Sequence, residues 1–108
     1  MAETPLPGRP SRTTRTGRPL PALLDLLGRR WCLRVLWELR DGDPLTFREL
    51  RDRCDTMSPS VLNDRLRELR EAAFVTSGPD GYVLTSQGRD LLAALAPLGA
   101  FAEGWTAS

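Results

Sequence analysis

Apolar residues recur along the chain at helical and then at strand spacing, in an order that defines an architecture. From Pro21 the pattern is helical, with Leu23, Leu24, Leu26 and Leu27 leading to Gly28, a natural stop. A second helix is predicted from about Arg30 to Arg40. Leu33, Leu36 and Leu39 step by three there, and Trp31, Val35 and Trp37 broaden the apolar face. Asp41-Gly42-Asp43-Pro44 is a turn, because glycine tolerates positive φ and proline removes a donor. Leu45-Thr46-Phe47 is a short extended piece. The next helix, about Phe47 to Cys54, places Phe47, Leu50 and Cys54 on one side.

Asp55-Thr56-Met57 is long enough only for a turn. Ser58 is then the expected N-cap of a fourth helix, with Pro59 at its first position, where a missing N–H costs nothing. Val61, Leu62, Leu66 and Leu69 form its buried stripe, and it ends near Ala72. Phe74-Val75-Thr76 and Tyr82-Val83-Leu84 are strands joined through Ser77-Gly78-Pro79-Asp80-Gly81, a hairpin by its turn chemistry. Thr85 caps a last helix through Leu91, Leu92 and Leu95, which Pro97 and Gly99 should kink or end. Phe101 and Trp105 add an apolar extension.

Two helices joined by a short turn and followed by a hairpin form the winged helix-turn-helix plan. The fold class is therefore mainly α (α+β), with a wing of two or three strands. In this plan the second helix of the pair enters the major groove with its N-terminal part toward base edges. A groove about 12 Å wide admits one helix, which needs an apolar face for its domain and a polar face for DNA. Opposite the fourth helix's stripe lie Pro59, Ser60, Asn63, Asp64 and Arg67. Ser60, Asn63 and Arg67 share one surface. Asparagine can pair bidentately with adenine, and arginine with guanine. The start of the helix, at Ser58, offers free N–H groups to a phosphate.

Composition bounds this reading. The 108 residues suit one domain, and an apolar fraction of 41% suffices for one core. No stretch is apolar for about 18 residues, and the N-terminus lacks a signal-like apolar segment, so a cytoplasmic protein is expected. The net charge is +1, so DNA binding needs a local basic patch and not a basic average. Residues 1–19 read as a separate Pro- and Arg-rich tail, with Arg9, Arg12, Arg15 and Arg18 against the single acid Glu3. The tail is either a disordered, solvated leader or an arm that touches phosphates or a minor groove. Residues 20–108 form the folded domain.

There is no histidine, and Cys32 and Cys54 match no zinc spacing. No Gly-rich phosphate loop is present, and no carboxylate pair is placed in a site. No enzymatic activity, metal or cofactor is expected.

Four blocks of the chain resemble one known family. Gly28-Arg29-Arg30-Trp31 followed by Leu33 to Leu39 resembles the "GGKW" helix that opens the DNA-binding domain of HxlR-type regulators, relatives of the MarR-like proteins. Phe47-Arg48-Glu49-Leu50-Arg51 is similar to that family's "F-x-E-L-R" helix. Ser58-x-x-x-Leu62-x-x-Arg65-Leu66-x-x-Leu69 resembles its recognition helix, and Tyr82-x-Leu84-Thr85-x-x-Gly88 its junction from wing to final helix. The blocks are collinear over about residues 22–105. The resemblance implies a bacterial homodimer that binds a pseudo-palindromic operator and controls transcription of neighbouring genes. It also implies dimerisation through the first and last helices, roughly Leu20 to Leu27 and Leu91 to Trp105. Leu23, Leu27, Leu92, Leu95, Phe101 and Trp105 are the candidate interface residues, unless they complete the protomer's core. The expected DNA-contacting set is Arg48, Ser58, Pro59, Ser60, Asn63, Asp64, Arg65, Arg67 and Arg70. Arg48, Arg65, Arg67 and Arg70 would meet phosphates, and Asp64, Glu68 and Glu71 stand nearby as exposed partners.

Three departures from the family pattern matter. Ala73 stands where these proteins usually carry glycine; if that position needs positive φ, alanine costs on the order of 1 kcal/mol. The wing has Asp80 and no Arg or Lys, which weakens a minor-groove contact. Some relatives sense oxidants through a cysteine before the "GGKW" block, where this chain has none. Cys32 and Cys54 read as small buried hydrophobes, and Trp31 and Trp37 as core. The alternatives are redox sensing by either cysteine and an aromatic lining for a flat, unidentified small-molecule effector at the dimer interface. The alternative function is a winged-helix protein-interaction module without DNA binding, motivated by the near-neutral charge and the acidic wing.

Overall fold

A computed structural model describes residues 18–107 of the chain. The tail expected over 1–19 therefore lies outside the described residues except for its last two. The element order is α1 (Pro19–Leu27), α2 (Cys32–Glu38), α3 (Phe47–Arg53), α4 (Pro59–Glu71), β1 (Val75–Gly78), β2 (Gly81–Leu84) and α5 (Ser86–Ala107). This is a winged helix-turn-helix. Its antiparallel wing pairs Val75 with Leu84 through Gly78 with Gly81, and Leu45 bridges to Tyr82 at the sheet's free edge. Helix α1 begins two residues before the expected Pro21. Both Pro19 and Pro21 fall in its first turn, where backbone N–H groups have no partner in the helix.

One core joins the elements. Leu26, Cys32, Val35, Leu36, Leu39, Leu50, Cys54, Leu62, Leu66 and Leu69 are almost fully buried, with Val75, Leu84 and Leu91 beside them. Helix α2 is shorter than predicted and buries a narrower face: Val35, Leu36 and Leu39 lie inward as expected, but two residues of the expected face do not. Cys32, Val35, Leu36 and Leu39 point inward, while Leu33 and Trp37 are 45% and 53% exposed. Each of these two follows a buried residue by one position, hence by about 100° around the helix. Trp37 is thus not core; it stacks under the Arg40 guanidinium, 4.0 Å from its ring centre. Trp31 is half-buried and packs on the core, as expected.

Two further expectations change. Ser58 occupies the N-cap of α4, but its hydroxyl lies 3.0 Å from that of Ser60 and accepts no backbone N–H. The real capping box is on α3. Thr46 Oγ1 accepts from Glu49 N at 3.1 Å and Glu49 Oε1 accepts from Thr46 N at 2.9 Å, which holds the Glu49 carboxyl below the usual range. Helix α5 runs unbroken through Pro97 and Gly99 to Ala107. Proline removes one donor there, and the carbonyl four residues back belongs to exposed Ala93, where water can serve it.

The junction from α4 through the wing to α5 is stereochemically demanding. Ala73 has φ +68°, so the position does need the left-handed region. Thr85 donates its hydroxyl to Ala73 O and accepts from Gly88 N at 3.0 Å, while Thr85 N donates to Phe74 O at 3.0 Å. A Cβ on Gly88 would lie 2.2 Å from Phe74 O, so only glycine lets α5 pass this close to the chain entering the wing.

Candidate nucleic-acid interface

The helix-turn-helix is α3, the connection 54–58 and α4. Its turn is sharp because Asp55 and Thr56 take φ +59° and +56°. Two arginines pin it. Arg51 Nε donates to Met57 O at 2.9 Å, and Arg34 on α2 donates to Arg53 O at 2.6 Å while pairing with Asp55 at 3.3 Å and Glu38 at 2.9 Å. The bonds to Arg53 O, Asp55 and Met57 O tie the end of α3 and the turn to neighbouring side chains, with Glu38 steadying Arg34 from its own helix, so the angle between α3 and α4 is set by more than packing.

On α4 the buried side is Leu62, Leu66 and Leu69, with Val61 half-buried. Ser60, Asn63 and Arg67 are exposed together on the far side, and Ser58, Pro59 and Arg70 are exposed at its two ends. Arg48 is exposed on the first turn of α3. Asp64 is half-exposed and pairs with Arg67 at 3.4 Å; Glu71 approaches the same guanidinium at 3.9 Å. Pairs this exposed are worth only about 0–1 kcal/mol, so Arg67 can exchange them for a phosphate or a base at little cost.

Arg65 differs from its neighbours. Its side chain is 18% exposed and its Nε lies 3.2 Å from Glu68 Oε1. Glu68, expected among the exposed partners, is buried, and its other oxygen pairs with Arg29 Nη1 at 2.7 Å. One signal for this was in the sequence: Glu68 lies seven residues after Val61 and four before Ala72, within the inward stripe. Arg29, Arg34 and Arg51 carried no such signal, because their partners are distant in sequence or are backbone atoms.

The apolar candidates divide. Leu27 is buried inside the protomer, and Leu23, Leu92 and Leu95 are half-buried against its core. Phe101 and Trp105 are 66% and 69% exposed, and Leu20, Leu24 and Leu98 are exposed with them. A groove of about 570 Å³ opens between α2 and α5, lined by Leu33, Trp37, Leu92, Leu95 and Leu98 with Glu103 at its edge. Both cysteines are buried free thiols. Burial, with the Glu68 carboxylate adding to it, pushes the Cys32 thiol up to about 11, and burial raises Cys54 as well. Neither offers the exposed, low-pKa thiolate that redox sensing requires. Among the described residues no group of metal-ligating side chains forms, and no helix is long and apolar enough to cross a membrane.

Among curated proteins, none matches this chain. Among solved structures, quinone-bound YodB from B. subtilis is similar at 30% identity, with a TM-score of 0.74 over 79% of this chain and 96% of that one. A protein from Enterococcus faecalis V583, described as a MarR-family transcriptional regulator, is similar at 28% identity, with a TM-score of 0.73 over 89% and 93% of the two chains. A protein from Thermoplasma volcanium GSS1, described as an HxlR-family transcriptional factor, shares the fold at 24% identity and a TM-score of 0.70 over 84% and 87%. Residues 26–108 match the HxlR-like helix-turn-helix family, a span that includes α2, the helix-turn-helix, the wing and α5. The chain belongs to that family of transcription regulators.

Proposed function

We propose that the protein is a homodimeric, sequence-specific regulator that places α4 of each protomer in successive major grooves of a pseudo-palindromic operator. The observation that carries this reading is the outer face of α4. Ser60, Asn63 and Arg67 stand exposed in one line, opposite leucines that hold the helix on the domain. Asn63 and Arg67 supply the base-reading chemistry, and Ser58, Pro59, Ser60 and Asp64 line the groove-facing end. Arg48, Arg70 and the half-buried Arg65 meet phosphates at its borders. The wing, with Asp80 and no basic residue, contributes little.

A single protomer leaves Leu20, Leu24, Leu98, Phe101 and Trp105 in water, on the helices that relatives would use for dimerisation. A second copy covers that face, with Leu23, Leu92 and Leu95 at its margin; Leu27 serves from within the core. The groove between α2 and α5 suits a flat, apolar effector, held without a covalent bond because the thiols are buried; that YodB has been solved with a quinone bound fits an effector of that flat class.

Selection of bound duplexes from a random pool tests the reading. Arg67→Ala and Asn63→Ala should each cost about 1–3 kcal/mol on the selected duplex and relax the preference at one base pair. Binding should fall steeply with salt. Failure of the protein to enrich any duplex at low salt would favour the protein-interaction module, the reading that the acidic wing supports.

A further inference from the structure

The leucine stripe under α4 turns one face inward and so sets the roll of the helix coarsely, but burial itself is non-directional and tolerates small rotations. Glu68 adds direction. It is the buried charged residue of the described chain, at 7% exposure, and its carboxylate is shared between two elements. Oε2 meets Arg29 Nη1 at 2.7 Å, on the turn between α1 and α2, and Oε1 faces Arg65 Nε at 3.2 Å, one turn earlier on α4. The turn that carries Arg29 is itself constrained: Trp31 sits at φ +77°, a conformation that bulky L residues seldom adopt and that persists only where the surroundings enforce it.

We infer that Glu68 is a positioning residue for DNA recognition, fixing the roll of α4 through Arg29 so that Asn63 and Arg67 meet base edges. The inference rests on the reading of α4 as the groove-entering helix. The lever is long. A roll of about 10° moves the tip of a side chain on the order of 8 Å from the axis by more than about 1 Å, enough to break a bidentate base contact. Arg65 Nε also lies 3.2 Å from this carboxylate, but outside hydrogen-bonding geometry, so the charge contact steers Arg65 less tightly than the Arg29 pair fixes Glu68.

The test uses the full chain and four forms: wild type, Glu68→Gln, Arg29→Gln and the double variant. The probes are the duplex enriched by the wild type from a random pool and a scrambled duplex of equal length. Affinities are measured at one salt concentration and at a temperature where circular dichroism shows each form folded. Glu68→Gln and Arg29→Gln change the net charge in opposite directions, so a bulk electrostatic effect would move their affinities apart. A positioning role moves specificity the same way in both. The ratio of selected to scrambled affinity should fall about 10-fold in each, and the double variant should be no worse than Glu68→Gln. If Glu68→Gln does not fold, Arg29→Gln decides, since it leaves Glu68 paired with Arg65. A purely structural role would lower thermal stability and leave that ratio within about 2-fold of wild type; that result, or losses that multiply in the double variant, overturns the inference. Failure of the wild type to enrich any duplex would overturn the DNA reading and this inference together. Enrichment with an unchanged ratio in the variants overturns the inference alone.

Discussion

Replacing Ala73 by glycine should stabilise the protein, although it deletes a methyl group. Ala73 holds φ +68° between α4 and the wing, with its N–H on Arg70 O at 3.0 Å and its carbonyl accepting from Thr85. An L residue in the left-handed region costs about 1–2 kcal/mol. Glycine removes that cost and adds back about 0.5–1 kcal/mol of chain entropy, so the net gain spans about 0–1.5 kcal/mol and is about 0.5–1 kcal/mol at mid-range. For a folded unit of this size, that raises the melting temperature by roughly 2–8 °C. The control is Ala94→Gly on the exposed face of α5, which should lose about 1 kcal/mol because helical φ gives glycine no advantage. Urea unfolding at one fixed protomer concentration measures both, since association would otherwise shift the midpoints. The same substitution thus carries opposite signs at two sites, decided by backbone dihedral alone. A loss at Ala73 as large as that at Ala94 would refute the reasoning.

Gly88→Ala should destabilise by about 2 kcal/mol or more, because the new Cβ would lie 2.2 Å from a backbone carbonyl that Thr85 also uses. Gly99→Ala, on the same helix with open space around the added carbon, should instead be neutral or stabilising in the same urea titrations. Cys32 should make the fold sensitive to alkali. Its thiol is raised from 9.0 to about 11 in the folded state, so between those pH values the folded chain keeps a proton that the unfolded chain has released, and stability falls as pH rises through that window. At 1.36 kcal/mol per unit the loss approaches about 2–3 kcal/mol, and Cys32→Ala should remove it; equal alkaline slopes for both proteins in urea titrations would contradict the assignment.

The elements and their order were legible in the sequence because each is local. Helical spacing, Pro59 at the start of α4 and the turn chemistry of Ser77–Gly81 need only near neighbours, although the strands run further into that segment than expected, to Gly78 and from Gly81, and the four collinear blocks carried the family. The exposed line of Ser60, Asn63 and Arg67 follows from the same 3.6-residue repeat. The need for positive φ at residue 73 was visible as a question, and the dihedral answered it. What the sequence did not contain is how narrow a side of α2 meets the rest of the chain. Leu33 and Trp37 look like core residues until Cys32 and Leu36 are seen to occupy that place. Nor could it assign the arginines, which are chemically alike and differ only in their surroundings. Arg67 remains in water, Arg34 and Arg51 brace the turn, and Arg29 and Arg65 close on a buried glutamate. Local propensity is written in adjacent residues. The role of a charge depends on the dielectric and the partners that folding brings around it, and for these residues the tertiary structure alone supplied both.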